Sequence, residues 1–431
     1  MSLPQPRALS ASAALLLASL AACGSGSYTQ PDVVATPVTT NVVSYWTDVG
    51  AATVNATAAV NTTPEELRPT FQVDLATMHL AIYDATAAID GRYKPYLVKP
   101  VTPASGASMD AAASAAAYGV LRALFPNRTA QYQAAYDSYL ATIAPGEAKT
   151  RGLALGAEVA AGIVANRAND GRSVLLATYV PSTAPGKFRG LNPISRHFPS
   201  IKPFTLTSIA QFRPPPPPAL DSAVYAADVN ETKSLGGTVS TARTADQLET
   251  ARFHTEMPAL YLTRNFGKFA RTTKDVADAA RLMAIIYTGY ADAIDACFEA
   301  KYFYETWRPQ SAIPLADTDN NPATIADPAW TPVVPTPNHP EYPAAHSCTA
   351  GVLGELLRQY YGTDKVTFTF DSTVTGTTRT YATTNALTEE SKVARIYGGM
   401  HFRYSTFAGA ELGKQSANWT MQHAFGPAAR P

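Results

Sequence analysis

The sequence predicts an all-α protein, a large helical domain built from packed helix bundles. Several segments repeat apolar residues every three or four positions, which is the spacing of one helix face. Alanine is frequent in these segments, and its small side chain lets helices pack closely. Only one short stretch alternates apolar and polar residues as a β-strand does. With 431 residues, 46% of them apolar, the chain can bury a substantial core.

The first half of the chain is predicted to be helical from about Val43 onward. In one segment Val73, Ala76 and Leu80 form an apolar stripe, and Gly91 ends the pattern. Later segments stop at Pro126 or Gly171, residues that commonly follow a helix end. The predicted helices of this half lie at residues 71–91, 109–125, 129–144 and 148–170.

Residues 171–220 are rich in proline and glycine and are predicted to form a connection without helices. The run of prolines at 213–218 must be extended, and we interpret it as a rigid connector rather than a recruitment motif. Helices are predicted to resume at 225–236, 244–257 and 273–307, with Pro309 ending the last of them.

The last third of the chain is predicted to contain a β-hairpin inserted between helices. Val366, Phe368 and Phe370 alternate with polar residues, and Gly376 provides a turn, so we expect the hairpin at residues 365–382. A helix is predicted before it, at 347–362, and two more follow it, separated by Gly398 and Gly399.

Near the N-terminus, Leu20-Ala21-Ala22-Cys23 follows a short apolar run and resembles a bacterial lipoprotein signal; the alternative is a plain secretory peptide with an incidental cysteine. We expect residues 1–22 to be the signal peptide, Cys23 to carry lipid, residues 23–45 to form a flexible tether and 46–431 to form the helical domain. The protein would then be exported and held in the cell envelope by its lipid. Because Lys and Arg balance Asp and Glu at 34 each, no global field would attract nucleic acid.

Three short pieces of sequence point to an anion site within residues 297–405. In the first, Lys301 and Arg308 are seven positions apart, so on one helix both would project from the same face. Two cations on one face repel each other unless an anion lies between them. The alternative is a solvated basic face, but the aromatic residues around them argue against it.

The second piece contains Pro343, Ala344, Ala345 and His346. Proline suits the start of a helix, so the amides of residues 344–347 would lack acceptors within the helix and could bind an anion. The alanines keep these amides accessible but provide no hydroxyl group.

In the third piece, Arg395 and His401 could converge because Gly398 and Gly399 interrupt the helix between them, although a glycine pair can equally be a simple bend.

The order and spacing of these pieces resemble the superfamily of vanadium-dependent haloperoxidases and type-2 phosphatidic acid phosphatases. Lys301 to Pro309 matches the first motif of the superfamily in full. Pro343 and His346 match the second motif, and Arg395 and His401 match the third. Residues 78–96 and 211–220 also resemble the bacterial haloperoxidase-like branch, so the resemblance covers most of the chain after the tether.

The chain departs from the superfamily at four positions. Ala344 and Ala345 replace serine and glycine, and Ala394 replaces a serine. Ser405 occupies the position at which phosphatases carry the aspartate that orients the second histidine. Loss of a hydroxyl donor to a bound oxyanion weakens binding by ~1.5–3 kcal/mol. We expect His401 to be less well oriented as a nucleophile without the aspartate.

The resemblance implies a vanadate cofactor with hydrogen peroxide, halide and a small organic acceptor as substrates. It implies that Lys301, Arg308 and Arg395 bind the oxyanion, that His401 ligates vanadium and that His346 is the acid–base group. His339 matches a position at which bromoperoxidases carry histidine, which favours bromide, but it could equally be a loop histidine. Two alternatives remain open, namely a phosphatase with His401 as nucleophile and a non-catalytic anion-binding lipoprotein.

Two cysteines remain after Cys23. Cys297 lies one helical turn before Lys301, and Cys348 lies two residues after His346, so convergence of the site would bring them together. An exported protein could then form a disulfide between them, and the alternative is a pair of buried thiols.

Overall fold

The computed structural model describes residues 41–60 and 70–428. The predicted signal peptide and lipidated cysteine lie outside these residues. The first helices confirm the predicted order, and α1 begins at Val42, so that the end of the predicted tether belongs to this helix. The helices of this half are α1 (Val42–Val60), α2 (Phe71–Asp90), α3 (Met109–Leu124), α4 (Thr129–Leu140) and α5 (Glu147–Arg167).

The alanine-rich helix α3 lies between its neighbours α2 and α5. Most of its residues from Ala111 to Leu121 are buried, since short side chains let the backbones approach. The hydroxyl of Ser108 accepts a hydrogen bond from the amide of Ala111 and so caps the start of the helix. Helix α5 ends at Arg167, four residues before Gly171, at which the sequence predicts its end.

The middle of the chain contains α6 (Ala223–Gly236), α7 (Ala245–Phe253), α8 (Pro258–Thr272) and α9 (Val276–Tyr304). Helix α9 is buried along most of its length and contacts α2, α8, α11 (Ala345–Tyr361) and α13 (Arg403–His423). It is therefore the central helix of the described fold. Within residues 41–60 and 70–428, no helix is both long and apolar enough to cross a bilayer.

The remaining elements are a short helix α10 (Pro309–Ala312), the hairpin strands β1 (Phe368–Ser372) and β2 (Thr377–Tyr381), and helix α12 (Thr384–Tyr397). The two strands pair antiparallel, with Phe368 opposite Tyr381, so the predicted hairpin is confirmed. The all-α fold class is confirmed as well, since this hairpin is the one sheet formed by the described residues.

Helices α11 and α13 approach closely because glycines of α13 face the backbone of α11. A side chain at Gly409 would clash with the carbonyl of Ala344, and one at Gly413 would clash with that of Cys348. The N-terminal half of α13 is thereby held against the start of α11.

The proline run at 213–218 packs beside the end of α9 and the segment just before α11. The carbonyls of Pro214 and Pro215 accept hydrogen bonds from the hydroxyls of Tyr304 and Tyr342, at 2.6 Å and 2.7 Å.

Candidate active site

Lys301 and Arg308 come together through a turn and not, as the sequence predicts, from one face of one helix. Helix α9 ends at Tyr304, where Glu305 takes a left-handed conformation (φ 50°) and its amide bonds the Lys301 carbonyl. Arg308 has extended backbone and precedes α10, so Pro309 begins a helix instead of ending one. The amide of Trp307 donates to the Gly186 carbonyl, which diverts the chain from the helix axis.

The ammonium group of Lys301 is buried and donates to two backbone carbonyls. Its Nζ lies 2.9 Å from the oxygens of both Pro340 and Glu341. Burial lowers the pKa of Lys301 well below its usual range, and the nearby charge of Arg308 lowers it further. Lys301 therefore holds the loop before α11 and places a positive charge beneath it.

The guanidinium group of Arg308 has an acceptor on each nitrogen. Nε donates to the His339 carbonyl at 2.8 Å, and Nη1 donates to the Met400 carbonyl at 2.9 Å. Nη1 also lies 2.9 Å from His401 Nε2, and Nη2 lies 3.0 Å from His339 Nδ1. Burial lowers the pKa of Arg308 to about 10. Arg308 thus links the first piece to the third and to the loop that precedes the second.

The imidazole of His401 lies between a cation and a carboxylate. Its Nδ1 is 2.9 Å from Oε1 of Glu341, while Nε2 faces Arg308. A carboxylate accepts and a guanidinium donates, so this arrangement selects the tautomer with hydrogen on Nδ1 and an electron pair on Nε2 that accepts from Arg308. Burial lowers the pKa of His401 well below its usual range, and Arg308 and Lys301 lower it further. The ring is therefore neutral and can act as a ligand.

Glu341 is the functional residue that the sequence analysis missed. It is fully buried, and Oε1 accepts from His401 Nδ1 and from the amide of Phe402 at 3.1 Å. Burial raises the pKa of Glu341 to about 7, although Lys301 and Arg308 oppose the shift. The expectation that His401 is poorly oriented is wrong, because Glu341 takes the place of the aspartate missing at 405. Ser405 instead directs its hydroxyl towards the Glu341 carbonyl.

Arg395 is buried but has fewer partners than Arg308. Nη1 donates to the His254 carbonyl at 3.0 Å, and Nη2 donates to the sulfur of Met400 at 2.9 Å. Its Nε is buried without a hydrogen-bond partner among the described residues. Burial lowers the pKa of Arg395 to about 9, with Arg308 contributing in the same direction.

The turn at Gly398 and Gly399 joins Arg395 to His401. Helix α12 ends at Tyr397, and Gly399 has a positive φ of 74° that favours glycine. A side chain at Gly399 would also collide with the Gly236 carbonyl. The glycine pair therefore interrupts the helix as predicted, and the Arg395 side chain contacts Met400 while that of His401 contacts Arg308.

Helix α11 begins at Ala345, two residues after Pro343 and not at the proline itself. The amide of Ala344 donates to the Ser405 carbonyl at 3.1 Å, so it is already satisfied. The amides of Ala345 and His346 lie in the first turn of α11, where a helix provides no acceptor for them. Two of the amides expected to bind an anion are therefore available.

His346 and His339 line a cavity of about 860 Å³, together with Arg395, Met400 and Ala345. Burial lowers the pKa of His346 well below its usual range, and Arg395 and His254 lower it further. The cavity walls are largely apolar and include Phe198, Ile294, Phe298, Leu262 and Leu353.

His254, which lacks any sequence motif, lines the same cavity, and its Nε2 lies 2.9 Å from Glu390. The sequence gives no signal that His254 reaches this cavity.

The balance of charge in the site favours an anion. Lys301, Arg308 and Arg395 are all buried, and Glu341 is the one acidic side chain among the described residues whose charge acts on Lys301 and Arg308. An excess of buried cations is unfavourable unless an anion compensates it. Together with the unpaired Nε and the two amides, these cations can bind a compact oxyanion beside His401 Nε2.

The disulfide considered from the sequence is present. Cys297 of α9 and Cys348 of α11 are bonded, with their Cα atoms 6.5 Å apart. The bond connects the helix that carries Lys301 to the helix that begins at Ala345.

Comparison with known proteins points to the part of the chain that carries the candidate site. Residues 281–428 match the family model described as the VCPO second helical-bundle domain. This segment contains every predicted site residue. Among curated proteins, none matches the chain in sequence.

Solved structures match over most of the chain. A bacterial vanadium-dependent iodoperoxidase has a TM-score of 0.74 and 22% identity, with 92% of this chain and 99% of that chain covered. A bacterial vanadium-dependent chloroperoxidase in its holo form has a TM-score of 0.67 and 16% identity, with 84% and 93% covered. The resemblance inferred from the sequence is thereby confirmed: residues 281–428 match the VCPO second helical-bundle domain, and the chain has the fold of these bacterial vanadium-dependent haloperoxidase structures.

Proposed function

We propose that the protein is a vanadium-dependent haloperoxidase-like enzyme that oxidises halide with hydrogen peroxide. The observation that carries this proposal is the arrangement around His401, whose Nε2 electron pair lies among three buried cations and is oriented by Glu341. A buried site with this excess of positive charge is suited to an oxyanion and to a neutral imidazole ligand. Vanadate meets both conditions, because it is an oxyanion and its metal can bind an imidazole nitrogen.

Each group of the site would have its own part in holding vanadate. Lys301, Arg308 and Arg395 would neutralise its oxygens, and the amides of Ala345 and His346 would donate to it. His401 would supply the ligand atom Nε2, while Glu341 keeps the hydrogen on Nδ1. When bound, vanadate acts as a Lewis acid that polarises peroxide for attack by halide.

His346 would move the proton that peroxide must lose. It lines the cavity through which substrates enter, whereas His401 is 1% exposed. Its lowered pKa keeps the imidazole neutral and able to accept a proton. The positive charge of Arg395 would then favour return of that proton to the product.

For the halide, we propose a preference for bromide over chloride. The support is the resemblance of His339 to the position at which bromoperoxidases carry histidine; its ring is 6% exposed, packs on Phe298 with ring centres 4.9 Å apart, and contacts Arg308. A halide beside this ring would approach the site from the cavity. The relatives of known structure include an iodoperoxidase and a chloroperoxidase, so the fold alone does not choose the halide.

The test is reconstitution of the purified protein with orthovanadate, followed by calorimetry and by bromination of a phenol dye with peroxide. His401→Ala is expected to abolish both tight vanadate binding and bromination. His346→Ala is expected to bind vanadate but to lose roughly 10²–10⁴ in turnover, the range typical of an acid–base group. His423→Ala serves as control, because His423 is exposed at the end of α13. Vanadate binding without halide oxidation would refute the haloperoxidase proposal.

Phosphate ester hydrolysis is the second candidate, and the His401–Glu341 contact favours it. A carboxylate that orients a histidine is also what a histidine nucleophile requires. With phosphate in the site, His401 would attack phosphorus, and His346, after binding a proton, would protonate the leaving group. Hydrolysis of a phosphate monoester by vanadate-free protein, with inhibition by vanadate, would select this function. Absence of both activities would leave a non-catalytic anion-binding protein.

We also propose that the protein is an exported lipoprotein modified at Cys23. The Cys297–Cys348 disulfide supports export, because disulfides persist in oxidising compartments. Mass spectrometry of the N-terminal peptide from the membrane fraction checks this. Soluble protein that begins at another residue without lipid would contradict it.

A further inference from the structure

The sulfur of Met400 occupies an unusual position in the site. It accepts a hydrogen bond from Nη2 of Arg395 at 2.9 Å, and the side chain lines the cavity together with His346. Thioether sulfur is a weak acceptor and a poor partner for a buried guanidinium. At 1% exposure, Met400 is shielded from bulk solvent but borders the place where the proposed reaction occurs.

Thioethers react readily with the oxidants that a haloperoxidase handles. Peroxide transfers one oxygen atom to sulfur, so that the O–O bond breaks, the S–O bond of the sulfoxide forms, and water leaves. With a hypohalous acid, sulfur again gives up two electrons and gains oxygen, while halide and a proton leave. Both reactions balance with reagents that the proposed function itself supplies.

The sulfoxide would change the partners of Arg395. Its oxygen is a stronger acceptor than thioether sulfur and would extend from the sulfur towards Nη2. It would therefore occupy an N–H group that the oxyanion requires. We propose that Met400 is a self-modification site, oxidised by the oxidant formed in the cavity, and that this oxidation inactivates the enzyme; the inference rests on the proposed haloperoxidase function.

Other methionines of the chain provide internal controls. Met257 lines the same cavity but is 49% exposed, so an oxidant that reaches the protein from bulk solvent should modify it first. Met78 and Met283 are fully buried in the core and should remain unmodified. The order of modification of Met400 and Met257 therefore reports where the oxidant originates.

The experiment uses the full chain loaded with orthovanadate and incubated with bromide and peroxide, with peptide mass spectrometry at intervals. During turnover we expect the Met400 peptide to gain one oxygen before the Met257 peptide does. In vanadate-free protein exposed to peroxide alone, we expect the opposite order. Met400→Leu conserves volume and is expected to complete several-fold more turnovers before inactivation, whereas Met257→Leu should inactivate as the parent does.

The outcomes separate this inference from the proposed function. Absence of vanadate-dependent bromide oxidation in the initial rate would overturn both. If bromide is oxidised but Met257 is modified before Met400, or if Met400→Leu inactivates at the parent rate, the haloperoxidase proposal stands and the role of Met400 is refuted.

Discussion

The two sides of the site differ in how completely their polar groups are paired. On the inner side, Arg308 has an acceptor on every nitrogen and His401 has a partner on both nitrogens. On the cavity side, Arg395 has a buried Nε without a partner among the described residues, and another of its nitrogens contacts only sulfur. One side is therefore fixed before any ligand binds, and the other retains donors for it.

This difference indicates how the site would recognise an oxyanion. Paired groups hold His401 in one position and one tautomer before any ligand binds, and the hydrogen bond from Arg308 to Nε2 is the contact that an oxyanion ligated by His401 would replace. Unpaired groups gain most from a ligand, because a buried donor without an acceptor is unfavourable. We therefore expect substitutions on the cavity side to change affinity directly, and those on the inner side to act through His401.

Among substitutions that leave His401 and His346 in place, the largest effect is expected from Arg395→Ala. The guanidinium would donate about two charge-assisted hydrogen bonds worth about 1.5 kcal/mol each, so vanadate should bind about 100-fold more weakly. Isothermal titration with orthovanadate measures the change. Arg358→Ala is the matched control, since Arg358 is at the surface of α11 and pairs with Glu355. If both variants bind vanadate as the parent does, Arg395 is not a ligand-binding group.

A smaller effect is expected from Glu341→Gln, which keeps the shape of the side chain but removes its charge. Partners of metal-ligating histidines typically contribute about 10–100-fold in affinity, and we expect a loss in that range. Vanadate affinity is measured in the parent and in the His401→Ala background. Because Glu341 is proposed to act through His401, the substitution should have little effect once that ring is absent.

The control for this cycle is Glu231→Gln, which removes a carboxylate that pairs with Arg403 at the start of α13. It should leave affinity unchanged in both backgrounds. Equal losses from Glu341→Gln with and without His401 would show that Glu341 acts on the general stability of the site.

The smallest effect is expected from Ala344→Ser, which restores a hydroxyl group at the start of α11. One added hydrogen bond to a charged ligand is worth about 1.5 kcal/mol, so vanadate should bind about tenfold more tightly. Ala350→Ser places the same group on α11 itself, in the wall of the cavity and farther from the start of the helix. Tighter binding by both variants, or by neither, would exclude a specific hydroxyl contact at 344.

The sequence predicts most of the helices and the hairpin, because these follow from local periodicity, but it does not predict helix α8. Motif spacing supplies the candidate members of the anion site. The sequence does not predict how Lys301 and Arg308 converge. Their spacing fits a continuous helix, but contacts of Glu305 and Trp307 with the loop around Gly186 end the helix early. Such contacts join distant parts of the chain, and no local pattern encodes them.

The contact between Glu341 and His401 is also one that the local sequence does not predict. It lies sixty positions from His401 in the sequence, and an acidic residue before Tyr342 carries no sign of its partner. The signal that could have found it is the serine at 405. A buried histidine that has lost its usual carboxylate requires another, and Glu341 is the acidic residue nearest to the second motif.

The disulfide encloses some residues of the site in a covalent loop and leaves others outside it. Cys297 and Cys348 close a covalent ring over a separation of 51 residues, within which lie Lys301, Arg308, His339, Glu341 and His346. A ring of this size reduces the entropy of the unfolded chain by an amount worth about 4 kcal/mol. Arg395 and His401 are outside the ring and reach it only when α12 and α13 dock. In the oxidised chain, opening of these two helices would therefore dismantle the oxyanion site while most of its residues stay tied together, whereas reduction would free both halves.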